Sequence, residues 1–118
     1  MRTVADEMTE PVLVESSTTI QDAAARMLDA GTEAAVVVDG DVVRGLMTAQ
    51  HVAKALAEGR DATNTPVDLV CDPAPALARP DEPLADVHDR MRAEQHELAV
   101  AVSPGRKPVG LLAERPFS

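Results

Sequence analysis

Apolar residues recur along the chain at two different periods, and each period marks an element. Ile20, Ala23, Ala24, Met27 and Leu28 are spaced three and four apart, as on one helix face, with Ser17 or Thr18 in front as a cap and Gly31 behind as a stop. The helix so predicted is amphipathic and about three turns long. "AAVVVDGDVVRGLMT" follows, two apolar runs divided by Asp39-Gly40, a pair suited to a tight hairpin turn. Ahead of the helix, "PVLVES" reads as a short extended segment. At the far end of the hairpin, Thr48 stands where a strand gives way to a helical stretch carrying Val52, Ala55 and Leu56. Thr48 takes the N-cap position there, which makes His51 the N3 residue. That position favours an acidic or amide side chain able to accept from the N-cap amide, so a histidine is unexpected.

The same order is written a second time. "IQDAAARMLDAGTEAAVVVD" from Ile20 aligns with "LADVHDRMRAEQHELAVAVS" from Leu84 at an offset of 64 residues, and Asp22/Asp86, Arg26/Arg90, Met27/Met91, Glu33/Glu97, Val36/Val100 and Val38/Val102 coincide. "PAPALARP" repeats the leading segment, while "ELAVAV" and "VGLLAE" repeat the strands. The turn "SPGRKP" is one residue longer than its counterpart, so the offset grows to 65. Residues 58–66 are polar, end in proline and serve as a linker. The copies therefore span 1–57, which includes the helix after the hairpin, and 67–118, which ends before such a helix can form. A copy of roughly fifty residues can hardly bury its own sheet, which is a physical reason for two.

Composition narrows the function. The 118 residues are 45% apolar but 1% aromatic, the single Phe117, so the core is made of Val, Leu, Ala and Met, and there are no aromatic platforms for stacking bases. A formal charge of −9 repels phosphate backbones, which argues against nucleic acid as a partner. No run approaches the roughly 18 apolar residues of a membrane span. The opening "MRTVADEM" lacks the apolar stretch of a signal peptide, and Cys71 alone cannot form an internal disulfide. A soluble cytoplasmic protein with no membrane partner is expected.

The candidate chemistry is sparse. No nucleophile, base and orienting group form a recognisable set, and the glycines form no phosphate loop, so no catalytic residue is assigned. "EQHE", residues 94–97, offers His and carboxylates, but without a second cluster at metal-ligand spacing no metal site is predicted. His88 falls on the apolar helix face at the position of Ala24 and reads as structural. Cys71 lines up with Met8 when the leading segments are shifted by one residue, and it reads as a small packing residue.

In copy one "VADEMTEPVLVE", "TIQDAAARML", "AAVVVD" and "GLMT", and in copy two "PVDLVCDPAPAL", "PLADVHDRMR", "LAVAV" and "GLLAE", follow one another in an order that resembles the CBS domain, the regulatory repeat named after cystathionine β-synthase. The resemblance covers nearly the whole chain. It implies an α+β fold of two pseudo-symmetric βαββα repeats packed through their sheets, the C-terminal helix of the second missing. Such a tandem, or Bateman module, often binds adenosine-containing ligands such as AMP or ATP in clefts between the repeats.

The resemblance also implies where a ligand would meet the chain. In ligand-binding members the strand end reads glycine, two apolar residues, Thr or Ser, two variable residues, then Asp; the hydroxyl approaches phosphate and the carboxylate accepts from both ribose hydroxyls. Gly45, Leu46, Met47 and Thr48 match, with His51 in the Asp position; Gly110, Leu111 and Leu112 match in copy two, where Ala113 replaces Thr and Pro116 replaces Asp. Imidazole has at most one acceptor nitrogen, so the two-fold grip is lost. Losing a charge-assisted bond costs about 1.5 to 3 kcal/mol, or roughly 10- to 100-fold in affinity. The cleft of Thr48 and His51 is thus expected to bind weakly or in altered form, and that of Ala113 and Pro116 to bind neither AMP nor ATP. The expected protein is a stand-alone regulatory pair and not an enzyme, with no cofactor beyond such a nucleotide. It should form a homodimer, because copy two leaves apolar surface uncovered. The alternative is a degenerate pair that keeps the fold and acts as a ligand-independent interaction module.

Overall fold

In the computed structural model, which describes residues 1–114, the stretches of helical period are helices and the apolar runs are strands. In chain order they are α1 (Val4–Glu7), β1 (Leu13–Glu15), α2 (Ile20–Ala30), β2 (Ala34–Asp39), β3 (Val42–Thr48) and α3 (Ala49–Ala57), then a 3-10 turn (Val67–Leu69), β4 (Ala76–Ala78), α4 (Leu84–Ala93), β5 (Leu98–Ser103) and β6 (Lys107–Ala113). They build two three-stranded sheets of the same design, β1-β2-β3 and β4-β5-β6. In each, the first pair is parallel and the second antiparallel. A parallel pair needs a crossover, which α2 and α4 supply, while hairpins join the antiparallel pairs. The α+β class and the doubled strand-helix-strand-strand order are those expected. The expectation of a missing final helix, and Pro116 with it, lies outside the described residues.

The start of α2 shows how the chain satisfies its own backbone. A helix leaves its first amides without partners. Here Ile20 N–H donates to the Thr65 carbonyl, Gln21 N–H to that of Ala62, and Ala23 N–H to that of Thr19. Asp22 N–H donates to Thr19 Oγ1 at 3.2 Å. The cap is therefore Thr19, neither Ser17 nor Thr18: Thr18 N–H already closes a turn onto the Glu15 carbonyl, and the Thr18 carbonyl takes Val67 N–H. Four consecutive hydroxyl residues, 16–19, left the choice to these longer-range bonds. The stretch read as a linker, 58–66, is thus held against the start of α2 by two of its carbonyls.

Helix ends and turns repeat with telling substitutions. Gly31 closes α2 at φ +67°, and Gln95 occupies the same place after α4 at φ +61°, where a side chain is strained. Both hairpins carry a bulge at one register position: pairing slips between Val37 and Val38, leaving Arg44 extra, and between Ala101 and Val102, leaving Val109 extra.

The described chain divides into two compact units, Val12–Ala74 and a second made of Met1–Pro11 with the chain from Pro75 onward. The core of the first holds Val14, Ala23, Met27, Ala35, Val37, Met47 and Val67. That of the second holds Val4, Ala78, Leu84, Val87, Met91, Ala99, Ala101 and Leu112. Matching positions exchange size: Ala23 with Val37 in one core answers Val87 with Ala101 in the other, a swap that conserves volume and is well tolerated. Val4 and Val67, both fully buried, match in sequence, yet each leading segment packs in the unit built on the other copy's sheet. The limits drawn at 57 and 67 describe the written copies; the compact units divide the chain at 11/12 and 74/75.

Candidate functional site

β3 delivers Thr48 in extended conformation, φ −110° and ψ 170°, and α3 starts at the next residue. His51 N–H donates to Thr48 Oγ1 at 3.4 Å, and in return Thr48 N–H donates to His51 Nδ1 at 2.9 Å. The hydroxyl lies 3.0 Å from the same nitrogen. The pair is a reciprocal capping box, with an imidazole nitrogen doing what a carboxylate or amide oxygen does elsewhere. This answers why a histidine is tolerated at N3: its one lone pair is aimed at the N-cap amide. Ala49 N–H donates to the Glu33 carbonyl at 2.9 Å, which ties the same junction to the start of β2. Both Thr48 and His51 are half-buried.

Three residues upstream, Gly45 is glycine because another backbone crosses it. A Cβ there would lie 2.5 Å from the Asp72 carbonyl oxygen and 2.7 Å from Cys71 Sγ. The crossing is fastened by Leu46 N–H to the Asp72 carbonyl at 3.0 Å and Asp72 N–H to the Leu46 carbonyl at 2.9 Å. Cys71 packs over the strand as a small apolar group. Burial, and next the charge of Asp68, push its thiol above the usual range, so it stays protonated and poorly nucleophilic. The bulge residue Arg44 reaches the same segment, with Nε 2.8 Å from Asp68 Oδ1 and a second nitrogen 3.3 Å from Oδ2. Arg44 also lies 3.5 Å from Asp39, which accepts from Ser16 Oγ. The sequence carried a signal for this crossing, a glycine inside an apolar strand, but nothing local to name the crossing segment.

The matching junction at the end of β6 keeps the frame and lacks the polar groups. Thr9 and Leu111 exchange two backbone bonds at 2.9 Å, as Asp72 and Leu46 do, and Glu114 N–H donates to the Glu97 carbonyl at 2.8 Å, as Ala49 does to Glu33. Met8 covers Gly110 as Cys71 covers Gly45; a Cβ at Gly110 would lie 2.7 Å from Met8 Cγ. Met8 and Cys71, matched by a one-residue shift, thus share one packing role. Ala113 ends β6 without a hydroxyl. Thr48 and His51 are therefore brought together, while Ala113 offers no side-chain partner and Pro116 is outside the described residues.

The remaining candidates are placed as follows. His88 is 15% exposed, with Nε2 3.7 Å from Glu7 Oε2, and neither atom has a hydrogen-bond partner among the described residues. His96 is half-buried beside exposed Glu94 and Glu97, and no group of three metal-ligating side chains occurs among the described residues. An open cavity of about 520 Å³, lined by Met1, Arg2, Pro83, Leu84, Asp86 and His88 among others, includes neither junction. No described helix is long and apolar enough to cross a membrane.

Comparison with known proteins adds a family and a fold. Residues 4–58 match the family model of the CBS domain. Over 113 residues the chain is 33% identical to the A-adding tRNA nucleotidyltransferase of Geobacter sulfurreducens; the match covers 95% of this chain and spans only 12% of that enzyme. Among solved structures, the CBS domain pair of protein MJ0100, in complex with 5′-methylthioadenosine and S-adenosyl-L-methionine, superposes with a TM-score of 0.87 at 22% identity, covering 97% of this chain and 90% of that one. CBS domain protein PAE2072 from Pyrobaculum aerophilum, complexed with AMP, gives 0.84 at 19% identity, covering 96% and 87%. At such identities the likeness is one of fold.

Proposed function

This chain is a tandem CBS domain pair in its fold, with residues 4–58 a CBS domain by sequence, and from that premise we propose that it is a small regulatory module sensing an adenosine-type molecule weakly or in altered form. The observation that carries the reading is that two CBS pairs of this fold, with TM-scores of 0.87 and 0.84, are solved with adenosine-type ligands. The Thr48 junction is where this chain would meet such a ligand, because Thr48 Oγ1 sits at a helix start, where the helix dipole favours an anionic group. Ala113 brings no hydroxyl to the matching place, so binding is assigned to one junction only. The module regulates and does not catalyse, and it acts in the cytoplasm.

It works as a homodimer. Leu28 on α2 is 81% exposed and Leu56 on α3 is 54% exposed, apolar area that a second copy would cover. Sedimentation at about 100 µM should give a dimer, and a monomer there contradicts the assembly. Calorimetric titration with AMP, ATP and S-adenosylmethionine tests the function itself. Saturable binding of one ligand per chain supports the sensor. Absence of binding by all three overturns it and leaves a ligand-independent interaction module.

A further inference from the structure

Two leading segments of nearly the same design dock on two nearly identical seats, and we infer that two polar pairs, Asp68 with Arg44 and Glu7 with His88, decide which segment takes which. The apolar fittings are alike in both. Each segment buries a valine completely, Val4 in one and Val67 in the other. Each covers a glycine of the sheet, Met8 over Gly110 and Cys71 over Gly45. Each exchanges two backbone bonds with a leucine, Thr9 with Leu111 and Asp72 with Leu46. Fittings so similar discriminate little, because specificity is a difference between two affinities.

The polar positions differ. Aligned on Val4 and Val67, Ala5 matches Asp68 and Glu7 matches Val70. On the seats, Arg44 matches Val109 as the bulge residue, and Ala24 matches His88 on the helix. In the unit Val12–Ala74, Asp68 accepts from two nitrogens of Arg44 at 2.8 and 3.3 Å, while the other position holds Ala24 and Val70. In the second unit the arrangement is reversed: Ala5 and Val109 are apolar, and Glu7 Oε2 lies 3.7 Å from His88 Nε2. Each unit thus holds one polar pair, at a different one of two matching positions. With the segments exchanged, Asp68 would come to Val109, Arg44 to Ala5, Glu7 to Ala24 and His88 to Val70. All four polar groups would lose these partners at once. Glu7 and His88 carry the larger share, since Oε2 and Nε2 are buried without any hydrogen-bond partner among the described residues, and stranding a buried polar atom is costly. The more exposed Arg44 pair discriminates through its two-pronged geometry.

Substitutions in the full chain test the inference. Glu7→Val with His88→Ala writes in the residue types of Val70 and Ala24, which already stand at the matching places of the other unit. His88→Ala alone strands the Glu7 carboxylate and should lower the unfolding equilibrium constant roughly tenfold, whereas the double variant should recover to within about threefold of wild type. Nuclear Overhauser contacts from the Met8 methyl group read the seat directly. In wild type they should reach Gly110 alone. The double variant should show a second set of signals with Met8 contacts to Gly45, in at least about one molecule in twenty. Adding Arg44→Val with Asp68→Ala should enlarge that set. A folded double variant with Met8 at Gly110 alone overturns the inference. So does a double variant that stays about tenfold below wild type or fails to fold, because the pair would then serve the fold and not the choice between seats.

Discussion

Gly45→Ala should destabilise the protein by about 3 kcal/mol, within a range of about 1 to 6, and the structure shows where the cost arises. The new Cβ would sit 2.5 Å from the Asp72 carbonyl oxygen, a backbone atom that no rotamer change can move. Ordinary carbon-to-oxygen contact begins near 3.3 Å, so the overlap is about 0.8 Å. Relief requires the 71–72 segment to lift, which breaks the two Leu46–Asp72 backbone bonds of 3.0 and 2.9 Å. Each bond contributes about 0.5 to 1.5 kcal/mol, and the crowding adds about 1 to 3 kcal/mol. Stiffening of the unfolded chain returns about 0.4 to 1 kcal/mol. Gly110→Ala is the control, because the three atoms nearest its new Cβ all belong to the Met8 side chain, and it should cost less. Urea denaturation followed by circular dichroism gives both values, with the slope checked for constancy. A Gly45→Ala unfolding free energy within about 0.5 kcal/mol of wild type refutes the close crossing. So does full rescue by Cys71→Ala, which removes the sulfur but leaves the carbonyl.

His51→Ala should cost about 1 kcal/mol in the same denaturation assay by opening the capping box. His51→Asp should raise stability by no more than about 0.5 kcal/mol, because the box is already closed by Nδ1 and only a more favourable dipole contact is added. Gln95→Gly should stabilise by about 0.5 to 1 kcal/mol, relieving a left-handed φ of +61° that Gly31 meets without strain in the other copy. Glu82 is held below its ordinary value of 4.5: burial, the largest single effect, raises it, but the Arg90 side chain, the Arg79 N–H and both arginine charges together outweigh that. A lowered carboxyl stabilises the fold above pH 4.5, and that contribution fades as pH falls from there through the folded value. Glu82→Gln should therefore flatten the acid limb of stability against pH, and an unchanged limb would contradict the assignment.

The doubled fold was legible because it is encoded in period and spacing. The helix α2, the hairpin at Asp39-Gly40 and their copies at offsets 64 and 65 appear in the structure where the apolar pattern put them. What was not legible depends on contacts made far along the chain. The choice of Thr19 as the cap follows from carbonyls at Ala62 and Thr65, and the assignment of Val4 and Val67 to each other's copies follows from tertiary packing. α1, of four residues, is too short to show a period of its own. The site was half legible: Thr48 as N-cap could be read from the strand-to-helix change, but the role of His51 needed the ring's orientation, since residue preference alone argues against an imidazole at N3.

The central claim is that one junction, at Thr48, meets an adenosine-type ligand and the other, at Ala113, does not. Backbone amide NMR of the assigned protein during titration with AMP tests it most directly. Saturable shifts of the Thr48, Ala49 and His51 amides are expected, with Leu112 and Ala113 unmoved. Saturable shifts at Ala113 with none at Thr48 would contradict it, as would the absence of any saturable shift up to about 10 mM, a concentration that reaches binding free energies as weak as about −3 kcal/mol.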